Sequence, residues 1–199
     1  MNSIVLAIKA KAWEKLIQFS LSEIVQTVSF KEGVILAHDL LYNKNMDDEI
    51  SEFAIDLLQE LQLHYPGEWG ASWKYDALLG NACNFLCRRY ELKYKAYKRA
   101  VQKADPPPAN LLALLASCYN SPGIPPITSE ETERYALMAV EKKEIFSVAA
   151  LLRDIYEERG EEEKACYWNS IYQKFEEAEK VIKIHELEPE FLQDKMQQK

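Results

Sequence analysis

Three seven-residue segments of this chain align without a gap: ALLGNAC at 77–83, ALLASCY at 113–119 and ALLRDIY at 150–156. Their first residues, Ala77, Ala113 and Ala150, stand 36 and 37 residues apart. Such a period is what stacked two-helix units produce, because one hairpin cannot bury its own apolar face and its neighbours supply the rest of the core. Each copy is followed, after a turn, by a segment with a small residue and an aromatic at similar phase: KAYKRAV (95–101), ERYALMAV (133–140) and KACYWNSIY (164–172). A degenerate earlier copy is AHDLLYNKN (37–45) with the helix around Phe53 and Ala54, where Tyr42 takes the place of Tyr119 and Tyr156. The packing logic is simple. The alanines let two backbones approach, the leucine pair fills the gap, and the tyrosine closes the hairpin against the next unit.

Helical periodicity recurs almost everywhere, and alternating runs of strand length are scarce. The clearest stripe is Ile50, Phe53, Ala54, Leu57, Leu58 and Leu61, with polar residues on the opposite face. It begins in Asp47-Asp48-Glu49, favourable at the positive end of a helix dipole, and is stopped by His64-Tyr65-Pro66-Gly67. Further breaks fall at Asp105-Pro106-Pro107-Pro108, at 120–126 (NSPGIPP), at Gly160 and at Glu188-Pro189. Thr128 and Glu131 have the spacing of a capping box. Helices are therefore predicted over 3–18, 21–29, 31–43, 47–64, 71–88, 91–104, 109–120, 129–143, 146–158 and 161–186, with a short one to follow.

At the repeated positions the chain resembles the tetratricopeptide-type (TPR) repeats, and more closely their Sel-one-like (SLR) subclass. That pattern runs A-x-L-G-x-x-Y, a Gly-containing turn, then K-A-x-x-W-Y with small residues. The third copy carries it most fully, in Ala150, Leu152, Tyr156, Gly160, Lys164, Ala165 and Trp168. The first copy keeps the glycine as Gly80 but has Cys83 for the tyrosine, and the middle turn reads SPGIPPITSEE. The resemblance covers about 77–175. It implies an all-α fold, a right-handed α-solenoid of helical hairpins, and a protein-interaction scaffold or adaptor without catalysis of its own.

Around these repeats, residues 1–70 read as an N-terminal helical cap that includes the degenerate copy, 71–186 as the helical repeats, and 187–199 as a C-terminal tail or short helix, all in one continuous domain. Ile4, Val5, Ile8, Ala12, Leu16 and Phe19 form a buried stripe in the cap. Ala165, Trp168, Ile171, Tyr172, Phe175, Ala178 and Ile182 continue one apolar face through a helix of about 26 residues, about 39 Å long at 1.5 Å per residue. Its overhang would cap the array or offer a stripe for a homo-oligomer.

Charge and composition exclude more than they assign. No apolar run approaches the roughly 20 residues that span a bilayer. The run Ile4 to Ile8 is too short for a signal peptide and Lys9 follows it, so the expected location is cytoplasmic. With 24 basic and 32 acidic residues the net charge is −8, which argues against nucleic acid as a partner. Locally the sign reverses. Arg88, Arg89, Lys93, Lys95, Lys98, Arg99 and Lys103 stand against Glu91 alone, so 88–103 carries +6. Interleaved with Tyr90, Tyr94 and Tyr97, this segment either docks an acidic partner or pairs internally with neighbouring acids. The second reading is favoured.

No chemistry stands out. Cys83 and Cys87 are four residues apart without a histidine nearby in sequence, and with Cys118 and Cys166 they read as buried thiols rather than bridges or zinc ligands. His38, His64 and His185 are isolated, and phosphate-cradling and nucleophile motifs are missing. Glu157, Glu158, Glu161, Glu162 and Glu163 crowd a turn, where a solvated face explains them. The expectation is no catalytic residue, no metal site and no cofactor.

Repeat arrays of this kind bind along the groove lined by the first helix of each hairpin. The polar fifth positions Asn81, Ser117 and Asp154, with Asn84, Arg88 and Arg153 on the same helices, are the expected contacts with a protein partner. A more specific alternative is a bacterial immunity or chaperone-like protein that neutralises a basic toxin or effector, with charge complementarity speeding encounter. A third class is a helical enzyme or small-ligand-binding protein with the aromatic segment His64 to Tyr75, including Trp69 and Trp73, as a pocket wall. Those rings are expected instead to pack between the cap and the repeats.

Overall fold

The computed structural model describes residues 2–43, 47–142, 146–174 and 184–197. Among them every regular element is helical. The α-helices are α1 Ser3–Lys9, α2 Trp13–Leu16, α3 Leu21–Thr27, α4 Phe30–Leu41, α5 Asp48–His64, α6 Pro66–Gly70 and α7 Trp73–Phe85. They continue with α8 Tyr90–Lys103, α9 Ala109–Ala116, α10 Ser129–Glu141, α11 Phe146–Glu158, α12 Glu162–Tyr172 and α13 Glu190–Gln197. Two 3-10 turns, Ser117–Asn120 and Ile184–Leu187, complete the set. Among the described residues, no helix is long and apolar enough to cross a membrane.

Short polar side chains start many of these helices by accepting from orphan first-turn amides. Ser20 and Ser29 form full capping boxes with Glu23 and Glu32. Thr128 makes one half of the expected box, accepting from the Glu131 amide at 3.2 Å. The Glu131 carboxylate turns instead to Lys98, 3.3 Å away on another helix.

Helix ends depart from expectation where a left-handed residue other than glycine closes a helix. The predicted helix 3–18 breaks at Lys11, whose φ is 51°. Its amide bonds to the Ile8 carbonyl and that of Ala12 to Ala7, a Schellman closure. Cys87, also at φ 51°, ends α7 in the same way at Phe85, short of the expected Arg88. At Gly160 the same closure is built on the residue that suits it, at φ 71°. The predicted helix 161–186 is shorter than expected, with α12 ending at Tyr172. Phe175, Ala178 and Ile182, which were to carry its apolar stripe onward, lie outside the described residues, and Ile184–Leu187 is a 3-10 turn.

The helices pack in sequence-adjacent pairs: α4 on α5, α7 on α8, α9 on α10 and α11 on α12. Successive pairs touch through α5 and α7, α8 and α9, and α10 and α11. Two core clusters result. One gathers α1 to α5 with Trp69, Leu78, Leu79, Ala82, Cys83 and Ala96, and the other runs from Ala77 and Tyr97 to Trp168. They meet within the pair α7 and α8, which contributes side chains to both. The repeated leucines Leu78, Leu79, Leu114, Leu115, Leu151 and Leu152 are all buried. Ala77 and Ala113 are buried too, whereas Ala150 is only half-buried and its neighbour Ala149 takes the fully buried place.

Candidate interaction surface

The basic segment is matched from within. Arg88 reaches Asp48 at 2.6 Å and Glu52 at 3.5 Å, and Arg89 reaches Glu52 at 2.6 Å and Asp56 at 2.5 Å, all on α5 or its first turn. Lys95 pairs with Glu91 at 3.0 Å and Lys98 with Glu131 at 3.3 Å. Arg99 and Lys103 share Asp76 of α7, at 2.9 and 2.6 Å. Lys93 is buried, with its ammonium 5.4 Å from the Tyr90 ring centre. The charge polarity of the sequence is therefore an internal seam, with α8 joining α5, α7 and α10.

Asp76 is the deepest node of that seam. Its carboxylate is fully buried and accepts from Trp69 Nε1 at 3.1 Å as well as from the two cations. A buried carboxylate is tolerated when its lone pairs are answered in this way.

The six expected contact residues differ in exposure. Asn81 is 2% exposed and accepts a hydrogen bond from the Tyr97 hydroxyl at 2.9 Å. The expectation of an exposed polar side chain at Asn81 is thus corrected: the phase that buries Leu78 and Leu79 carries it into the contact with α8. Ser117 is half-buried and its hydroxyl donates to the Leu114 carbonyl at 2.7 Å, within its own turn. Asn84 is half-buried, and Arg88 lies beyond the end of α7 in its pairs with α5. Arg153 and Asp154 bond to each other at 2.8 Å, with the Arg153 guanidinium 5.4 Å from the Tyr172 ring centre.

A different stretch is brought onto the first helices of the pairs: the C-terminal segment. The 3-10 turn Ile184–Leu187 packs on α7. Leu187 is 1% exposed, Glu188 and Leu192 are fully buried, and Pro189 is buried with them. The Glu188 carboxylate stands 3.7 Å from His38 Nε2 of α4. Lys74 of α7 bonds to Glu190 at 2.6 Å across 116 positions of sequence. Lys31 of α4 lies 5.1 Å from the Phe191 ring centre. The electrostatics follow. The bond from Lys74, then Glu190's own backbone, holds the Glu190 carboxyl below its usual range. Burial and then the Glu188 charge push the Tyr42 phenol far above its own. Tyr42 also meets the rings of His38, tilted, and Phe85, edge-on, with ring centres 4.7 and 5.1 Å away.

The sequence signal for this seat was slight. Glu188-Pro189 reads as a helix breaker, and only Leu187, Phe191 and Leu192 on either side of it announce an apolar segment with acids between them.

The other chemical candidates are occupied by packing. Of the four thiols expected to be buried, only Cys83 and Cys118 are, and burial pushes them up to about 12; Cys87, in the left-handed turn that ends α7, and Cys166 are exposed. Among the described residues no group of three His, Cys, Asp or Glu side chains is placed to hold a metal ion. The aromatic segment closes on itself and on Phe30: Tyr65, Trp69 and Tyr75 have ring centres 5.7, 6.4 and 4.9 Å from it. The Tyr65 hydroxyl reaches the Val25 and Val28 carbonyls at 3.0 and 2.9 Å, tying α3 to this cluster. At the far end, an open hollow of about 310 Å³ lies between α11 and α12, rimmed by Glu157, Glu162, Cys166 and Asn169. Comparison of the chain with known protein families, with curated proteins and with solved structures finds no significant match.

Proposed function

We propose that this chain is a non-catalytic protein-interaction module, a scaffold or adaptor built as a right-handed α-solenoid of TPR- or SLR-like hairpins, and that the faces of α4 and α7 are where it takes a partner. The observation that carries this reading is the seat of residues 187–192. A short stretch of chain lies across the first helices of two pairs, with leucines buried and carboxylates met by His38 and Lys74. A surface that holds one such segment is chemically equipped to hold another. The pairwise packing of helices with a 36- to 37-residue repeat supports the solenoid.

The test is cross-linking of the full chain in extracts of its source, with mass spectrometry mapping the partner's contacts. Cross-links concentrated on Lys31 and Lys74 are expected, with those on Lys31 lost in a Lys74→Glu variant. A reproducible multi-degree thermal shift with a metabolite or metal, and no such cross-links, would count for the ligand-binding class instead.

A second reading has its own support. With the α8 cations paired internally, Glu157, Glu158, Glu162 and Glu163 stand exposed around the turn from α11 to α12. That acidic end suits a basic toxin or effector, as an immunity or chaperone-like protein would require. A partner mapped to this end, whose association is lost at high salt, would favour it.

A further inference from the structure

We propose that the surface of α4 and α7 on which the chain's own residues 187–192 sit is a peptide-docking site, and that it opens to a partner segment of the same chemistry. That segment carries a leucine at either end, two acids around a proline, and an aromatic beside the second leucine. The inference rests on the protein-binding reading of the same surface and adds what is bound and how access is controlled.

Three features describe how the segment is seated. Its anchors fall in different cores: Leu187 joins the cluster of the later repeats and Leu192 that of the cap. Its acids meet complementary groups, Glu188 beside His38 and Glu190 on Lys74, while Lys31 covers Phe191. Its backbone bonds, from Leu192 and Gln193 to Pro189, lie within the segment. Its bend is held from within as well, by the Gln193 side chain donating to the Glu188 carbonyl at 2.6 Å. The Ser29–Glu32 box that starts α4 is made within that helix's own first turn and takes no group from the segment.

A tethered segment competes at an effective concentration of order millimolar, so a free peptide of equal chemistry meets a nearly closed site. A partner succeeds by binding more tightly or by adding contacts beyond α4 and α7. The result is a built-in threshold against weak, non-specific peptides.

The test uses full-length chains and a fluorescein-labelled peptide of residues 184–197, followed by fluorescence anisotropy. In a Leu187→Ser/Leu192→Ser chain the tail is loosened while the site is intact. This chain is expected to bind the peptide at least tenfold more tightly than the unaltered chain, and adding Lys74→Glu should reverse the gain. Equal affinity for the loosened and unaltered chains would overturn the proposal without touching the protein-binding reading, which the cross-linking map tests separately. Binding that occurs only in a dimer, by light scattering, would assign the site to a second copy and overturn it as well. Should the double variant fail to fold, hydrogen exchange on the unaltered chain decides. Amides of 190–197 exchanging at least tenfold faster than those of α7 support a segment that opens by itself, whereas equal protection makes it a permanent part of the core.

Discussion

The Tyr97 ring of α8 lies directly against Gly80 of α7: a Cβ built on the glycine would stand 2.5 Å from two of the ring carbons. Tyr97 is fully buried, and its hydroxyl is fixed by Asn81, so the ring cannot swing away cheaply. Gly80→Ala is therefore expected to cost about 1–3 kcal/mol, the usual range for overpacking a core. Urea unfolding of the two chains checks this, and a change below about 0.5 kcal/mol, the surface range, would show that α7 and α8 separate readily. The glycine of the repeat pattern, present only in the first copy, thus answers to a tyrosine of the second helix that is fully buried.

Asp76 offers a sharper case of dependence. Removing its carboxylate in Asp76→Ala leaves Trp69 Nε1 without its acceptor and two cations without their shared anion. Breaking a buried pair on one side costs about 3–5 kcal/mol, but Arg99 and Lys103 are roughly a third exposed and can rehydrate, so about 2–4 kcal/mol is expected. Arg99→Ala, which leaves Lys103 and Trp69 on the carboxylate, should cost less. If the order of the two variants in a denaturant titration were reversed, the carboxylate would not be the centre of the seam.

These two residues show where the sequence was readable and where it was not. The all-helical class and the pairing of successive helices follow from short-range patterns: the apolar stripe of α5, the repeated leucines, and the Pro and Gly breaks. Long-range partners follow from no such pattern. Nothing in Asp76 itself announces Trp69, Arg99 and Lys103, because the contact depends on how α6, α7 and α8 are set against one another. The six expected contact residues rest on position in the aligned repeat alone, and that position does not distinguish a face turned to a groove from one turned to the next helix. The C-terminal seat was hidden for the same reason, since its partners lie more than a hundred positions away.

Lys11 illustrates the remaining kind of failure, in which backbone geometry outruns residue preference. It adopts φ 51° to let α1 end and α2 begin, a conformation that costs a residue with a Cβ about 1–2 kcal/mol relative to its ordinary helix. Lys11→Gly removes that strain while giving the unfolded chain more freedom, and the balance is a stabilisation of about 0.5–1 kcal/mol. A raised urea midpoint with an unchanged slope is the expected signature. A lowered midpoint would mean that the lysine side chain does more at this bend than its exposed position suggests.

Acid should weaken the protein in a defined window. Burial raises the Glu133 carboxyl, but hydrogen bonds from Tyr156 and Arg159 and the Arg159 charge outweigh it, so the group sits below its ordinary 4.5. Glu190, bonded to Lys74, is lowered too. A carboxyl lowered in the folded state contributes stability that is complete above 4.5 and is lost as pH falls through the folded value. The urea midpoint should hold between about pH 7 and 5 and fall below about 4.5. In Glu133→Gln the fall should be shallower, and an identical acid limb in both chains would remove Glu133 from the account.

Asn81 and Asp154 occupy the same place in their repeats yet should respond differently to the same change. Asn81 supplies the acceptor for the buried Tyr97 hydroxyl, so Asn81→Ala strands a donor in the core and should cost about 1–2 kcal/mol. Among the described residues Asp154 bonds to Arg153, at a partly exposed surface, and Asp154→Ala should stay within about 0.5 kcal/mol. Thermal unfolding of both single variants, followed by partner capture, separates the two roles. If Asn81→Ala weakens partner binding, a second variant, Tyr97→Phe, decides the cause: it removes the donor along with its need for Asn81. Binding restored in the Asn81→Ala/Tyr97→Phe chain would mean that the loss came from the fold. Binding still weak, with stability recovered, would give Asn81 a contact of its own despite its burial.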